Sequence, residues 1–187
     1  MTAAATTTRR KHKDKLVIET PKISQTVAQP TAIIHITIPR DQIRNVMQPG
    51  LKELLATLGK QGIAPTGPWF TRHLKMMPDT YDFEIGMPVK ERVVASGRVT
   101  AGQLPAATVA RTILHGSYEG LASAWPQLDA WIVAQGRAPG PALWETYLID
   151  AATNPDPSAW RTELTRPLAT QSPKRDKFSP SPPESKS

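Results

Sequence analysis

The feature that most restricts how this chain can fold is an internal repeat. The strand-like run Thr31-Ala32-Ile33-Ile34-His35-Ile36-Thr37-Ile38 aligns with Thr108 to His115 at an offset of 77 residues. At the same offset Pro49, Leu51 and Gly59 meet Pro126, Leu128 and Gly136, and Leu54 and Leu55 meet Trp131 and Ile132. Two strand candidates then follow each unit: Trp69 to Lys75 and Tyr81 to Val89, and later Trp144 to Asp150 and Trp160 to Leu164. The single identities are weak, whereas the shared order of elements is informative. Two strand–helix–strand–strand units predict an α+β fold, in which duplicated βαββ units form an antiparallel-rich sheet with two helices on one face. A pseudo-twofold axis between the units leaves a groove between the helices and the sheet, which is a natural ligand cleft.

The helix of each unit is read from its apolar spacing. Ile43, Val46, Met47, Leu51, Leu54, Leu55 and Leu58 follow the i, i+3, i+4, i+7 pattern, with Gly59 as a stop. Leu121, Ala124, Trp125, Leu128, Trp131 and Ile132 do the same and end before Gly136. Pro49 and Pro126 are awkward inside such helices, because proline removes a backbone hydrogen bond and clashes with the preceding turn. Each helix therefore kinks there or begins its regular portion just before the proline; in the latter case Ser123 would cap the second.

Charge separates the tails from the domain. The chain of 187 residues carries +7, but residues 1–15 account for +4 and residues 171–187 for +2. The central stretch is left with +1, close to neutral. The expected organisation is a disordered basic tail at 1–15, a ligand-binding domain at 16–170 and a disordered Pro/Ser-rich tail at 171–187. Basic tails allow weak nonspecific contact with nucleic acid or anionic surfaces, but no basic domain face or helix-turn-helix pattern points to specific nucleic-acid binding. The absence of cysteine excludes disulfides, thiolate zinc sites and cysteine nucleophiles. With no apolar leader and no run of about 20 apolar residues, the expected setting is cytoplasmic, with no membrane partner.

The segment Trp144-Glu145-Thr146-Tyr147-Leu148-Ile149 carries the chemistry. On a strand Glu145 and Tyr147 share one face, so an acid lies among aromatic residues. That suits a cationic or flat, polarisable ligand; a desolvated carboxyl would equally suit proton transfer. The plainer alternative is a salt bridge from Glu145 to Arg72, Arg111 or Arg161. Tyr118 and Trp125, near the start of the second helix, are cleft candidates; Trp131 reads as core. Trp69, Phe83 and Trp160 are candidates for opposing walls, although a one-residue change of strand parity would reverse each assignment. His35, His73 and His115 lie on separate elements without metal-ligand spacing, so no metal or cofactor is expected. His115 is read as stabilising the strand-to-helix turn through a backbone hydrogen bond.

At Tyr81-Asp82-Phe83-Glu84-Ile85-Gly86-Met87-Pro88-Val89, His115-Gly116-Ser117-Tyr118-Glu119-Gly120-Leu121, Ala124-Trp125, Trp131 and Trp144-Glu145-Thr146-Tyr147 the chain resembles the GyrI-like small-molecule-binding family. Asn154-Pro155-Asp156-Pro157, Trp160 to Leu164 and Pro167-Leu168 complete a likeness that covers roughly residues 16–168. This family is related to the effector-binding domains of AraC-type and MerR-type regulators and, more distantly, to SOUL haem-binding proteins. The resemblance implies the duplicated βαββ fold and a cleft at the pseudo-dyad. It also implies that the glutamate matching Glu145 meets cationic aromatic ligands, as in several members. Some stand-alone members hydrolyse strained cyclopropane rings of DNA-alkylating antibiotics. The expectation is thus a stand-alone protein that binds bulky aromatic drugs or antibiotics for sequestration or self-protection. The alternative is a cyclopropanoid hydrolase with Glu145 as acid/base and Tyr147 assisting.

Overall fold

The computed structural model describes residues 18–170; the tails expected at 1–15 and 171–187 lie outside them. In chain order the elements are β1 (Lys22–Gln25), β2 (Gln29–Pro39), α1 (Ile43–Lys60), β3 (Phe70–Met76), β4 (Thr80–Pro88), β5 (Val99–Leu104), β6 (Thr108–His115), α2 (Leu121–Ala134), β7 (Leu143–Ile149) and β8 (Arg161–Pro167). The fold is α+β: all eight strands join one antiparallel sheet in the order β1-β6-β8-β7-β3-β4-β2-β5. The two βαββ halves meet at the β3–β7 pair, where Thr71 lies opposite Glu145 and His73 opposite Leu143.

The helices lie on the same face of the sheet. α1 buries Gly50, Leu51, Leu54 and Leu58, which join Ile34, Ile36, Phe83 and Ile85 in one apolar cluster. α2 buries Ala124, Leu128 and Ile132 against Ala110, Leu114 and Leu164 in a smaller one. Close approach of α1 to β4 depends on Gly50, where an added Cβ would come within 2.7 Å of Ile85 Cδ1. Pro49 and Pro126 stand inside helices that start at Ile43 and Leu121. Gly120, and not Ser123, occupies the cap position of α2; the Ser123 hydroxyl donates back to the Gly120 carbonyl at 3.0 Å.

The 77-residue offset fits the helices, since Leu51 and Leu128 both face the sheet, but it misaligns the strands. At that offset Ile34 would match Arg111. Ile34 packs with α1, whereas Arg111 alternates with Ala110, which packs with α2, and so points to the other face. Strand side chains change face with every residue, so β2 and β6 correspond only at an even offset.

Two strands went unread in the sequence, β1 and β5, and they shape the far face. β1 runs into β2, and β5 into β6, through short connectors. Gln25 faces Thr108 before the joint and Gln29 faces Leu104 after it, so the register continues unbroken. Thr26 N–H bridges the gap by donating to the Ala107 carbonyl at 2.9 Å. This long ribbon ties together the two ends of the strand order, and the sheet curls around a space on the side away from the helices. Among the described residues no helix is long and apolar enough to cross a membrane.

Candidate ligand site at the seam between the halves

Alternation along β7 turns Glu145 and Tyr147 toward the helices, where the two apolar clusters meet. Tyr147 belongs to the cluster under α1, and Trp125 packs against the one under α2. Both reach Glu145. The Trp125 indole N–H donates to Oε1 at 2.8 Å, and the Tyr147 hydroxyl donates to Oε2 at 2.9 Å. Thr71 Oγ1, opposite on β3, lies 3.1 Å from the same hydroxyl.

Glu145 is only 7% exposed. Among the described residues no Lys, Arg or His nitrogen lies within ion-pair distance of it, and the arginines considered as its partners are engaged elsewhere. Arg72 pairs with Glu84 at 3.5 Å and Arg111 with Glu163 at 3.8 Å, while Arg161 donates to the Ser158 and Trp160 carbonyls. A carboxylate out of water needs a counter-charge or a proton, and two neutral donors compensate it only in part.

Aromatic rings extend from this centre in a connected series. Trp69 stacks on Tyr147 with centroids 3.9 Å apart and planes at 20°. Tyr118 meets Tyr147 edge-on at 5.6 Å and stacks on Trp160 at 4.7 Å. The outer rings are pinned by their N–H groups: Trp69 donates to the buried Asp150 carboxylate at 2.5 Å, and Trp160 to the Asn154 carbonyl at 2.8 Å. Burial, followed by the nearby Asp150 charge, pushes the Tyr118 hydroxyl up to about 12. Burial and then Glu145 raise Tyr147 well above the ordinary phenol value. Both phenols therefore stay protonated at neutral pH, and Tyr147 acts as a donor to the carboxylate.

Of the residues read from the sequence, Glu145, Tyr147, Trp69, Tyr118, Trp125 and Trp160 lie in this one contact network. Phe83 does not. It is fully buried and stacks on His73, with centroids 5.5 Å apart, as part of the core under α1. His115 meets the Glu19 carboxylate, at 2.6 Å, and not a backbone group in the turn. Three residues were missed: Thr71, Asp150 and, as a neighbour of Glu145, His73. Burial holds His73 below the usual imidazole value; the Glu145 charge opposes this, and Arg40 adds to it. Nδ1 of His73 is buried with no hydrogen-bond partner among the described residues. The signal that could have found Thr71 and His73 is their shared parity on β3, but only once β3 is known to pair with β7.

The family described as "GyrI-like small molecule binding domain" matches residues 46–169, two-thirds of the chain. No curated protein matches the sequence. Among solved structures the EcmrR C-terminal domain is similar with a TM-score of 0.72 at 18% identity, covering 82% of this chain and 98% of that one. EcmrR in its DNA complex gives 0.71 at 18% identity; the match covers 83% of this chain but only 59% of that longer protein. SAV2435 bound to tetraphenylphosphonium gives 0.61 at 12% identity, with 81% and 94% covered. A hydrolase encoded by lin2189 from Listeria innocua gives 0.58 at 11% identity, with 80% and 91% covered. At these identities the likeness shows a shared fold.

Proposed function

The chain belongs to the GyrI-like small-molecule-binding domain family, and we propose that it takes up a bulky aromatic cation at Glu145, for sequestration or self-protection against a drug or antibiotic. The observation that carries this reading is the buried Glu145 carboxylate, held by two neutral donors with no cation in reach among the described residues, beside rings of Trp69, Tyr118, Tyr147, Trp125 and Trp160. A bound cation supplies the missing charge, and ring faces attract it by roughly 0.5–2 kcal/mol each. Trp125 is half-exposed, so the ligand reaches the carboxylate by taking the place of its indole N–H. Tetraphenylphosphonium, the compound bound by SAV2435, is the natural probe. In calorimetric titration Glu145→Gln should weaken it at least about tenfold, near 1.4 kcal/mol, while uncharged triphenylphosphine oxide binds both proteins alike. Equal losses for the two compounds would remove the charge-recognition role.

The burial of Glu145, in a setting suited to proton transfer, supports a second reading, as a hydrolase. A protonated Glu145 would give its proton to the carbonyl oxygen conjugated with a strained cyclopropane, while water attacks a ring carbon. The C–C bond opens with its electron pair taken up by the conjugated carbonyl as an enol, the attacking water returns one proton to Glu145, and the product carries one added water. Mass spectrometry of a cyclopropane-bearing alkylator incubated with the protein decides between the two. A gain of one water that is lost in Glu145→Gln supports hydrolysis, and intact compound recovered with the protein supports sequestration.

A further inference from the structure

We propose that the face of the sheet opposite Glu145 holds a second small-molecule site, selective for a flat apolar carboxylate, with Arg111 as its anion-binding residue. The site is a partly open cavity of about 300 Å³ where the β1–β2 and β5–β6 ribbon passes over the central strands. Val27, Gln29, Leu104 and Pro105 form one wall; Phe70, Trp144 and Thr146 form the other. Trp144 and Thr146 flank Glu145 along β7 and point away from it, so the sheet itself separates this cavity from the Glu145 cluster. It therefore does not depend on the reading of Glu145.

The walls set the shape of the ligand. Phe70 and Trp144 are almost fully buried, and the Phe70 ring lies flat across Gly86, where an added Cβ would come within 2.3 Å of Cζ. These packed rings form a rigid floor under the ribbon, and the narrow space left between them is at the small end of ligand-cavity sizes. The polar end is Arg111. Its Nε is buried with no acceptor among the described residues. Its Nη1 stands 3.8 Å from Glu163, beyond hydrogen-bond distance. Arg72, on the same face, at least donates to the Gln103 carbonyl at 3.4 Å. A guanidinium is always charged and presents a planar fork that fits a carboxylate with two parallel hydrogen bonds. The buried Nε is closed to a ligand, so the carboxylate is held at the Nη1–Nη2 edge; Glu163 already offsets part of the charge, which limits the site to monoanions.

The test is calorimetric titration of the whole chain with 2-naphthoate. One equivalent should bind, and uncharged 2-naphthamide should bind at least about tenfold more weakly. Tetraphenylphosphonium should not compete with 2-naphthoate. Arg111→Gln should weaken the acid at least about tenfold without changing tetraphenylphosphonium binding, and Thr146→Phe, which fills the slot, should abolish it. The proposal falls if 2-naphthoate fails to bind, if the amide binds as tightly, or if tetraphenylphosphonium displaces the acid. It falls equally if binding survives either substitution. The amide comparison and the competition need no variant, so a variant that fails to fold leaves the test intact.

Discussion

The two halves share an architecture but divide the work. The first keeps its helix face apolar: α1, β2 and β4 bring Leu54, Leu58, Ile34, Phe83 and Ile85 together with essentially no exposure. The second has a smaller cluster, and its strand at the seam carries Glu145. Position for position across the β3–β7 pair, Thr71 in the first half faces a carboxylate in the second. A duplicated fold can thus stabilise itself with one copy and place poorly compensated charge in the other, at the edge of the first copy's core. The largest effect should come from breaking the stabilising half. Phe83→Ala empties a fully buried ring site and should cost about 3–5 kcal/mol. That corresponds to a fall in melting temperature of roughly 10 °C or more in a domain of this size. A loss below about 1 kcal/mol would mean that the first half is not the main source of stability.

Two carboxylates of unequal surroundings sharpen the comparison. Glu84 in the first half pairs with Arg72, while buried Glu145 has no cation within ion-pair distance among the described residues. Glu84→Gln leaves Arg72 without its counter-charge, but burial holds the Glu84 carboxyl above the usual carboxylate range against the pull of Arg72, so the change should cost no more than about 1 kcal/mol. Glu145→Gln should have the opposite sign and add up to about 1 kcal/mol. An amide there can still accept from Trp125, and its NH2 can donate to Tyr147, whose hydroxyl then donates to Thr71. Thermal melts of the two variants test this directly: destabilisation by both would show that Glu145 is as well compensated as Glu84.

Much of this asymmetry could be read from the chain, and what could not has a physical cause. Six core strands and both helices follow from local periodicity, and the strand bounds differ from expectation by at most three residues. The shared face of Glu145 and Tyr147 needed only the period of two. β1 and β5 were invisible: Lys-Ile-Ser-Gln is short and mostly polar, Val-Thr-Ala-Gly-Gln-Leu is interrupted by glycine without a regular alternation, and both become strands by pairing across the ribbon. Phe83 was placed at the cleft because it is aromatic and on the correct strand, yet its depth under His73 is set by the packing of α1. Thr71 and His73 gain their meaning from the β3–β7 register, which is a tertiary fact.

The smallest expected effect tests whether the halves are electrically coupled. His73 is on β3 of the first half, and the carboxylate acting on it is Glu145 of the second. Burial keeps the folded imidazole neutral below its ordinary value of 6.5, whereas the unfolded chain takes up the proton near that value. Below that pH the unfolded state binds more protons than the folded one, so stability falls as pH drops through 6.5 and levels off only below the folded-state value. From pH 7 to 6 the contribution is at most about 0.7 kcal/mol, the limit reached when the folded imidazole stays neutral throughout. Chemical denaturation at the two pH values should show this difference in the parent protein and lose it in His73→Phe, whose ring can still stack on Phe83. Because Glu145 favours the charged imidazole, Glu145→Gln should enlarge the difference. If it shrinks or stays constant, the field of the second half does not reach His73, and the two halves are joined by strand pairing, hydrogen bonds and packing without this charge coupling.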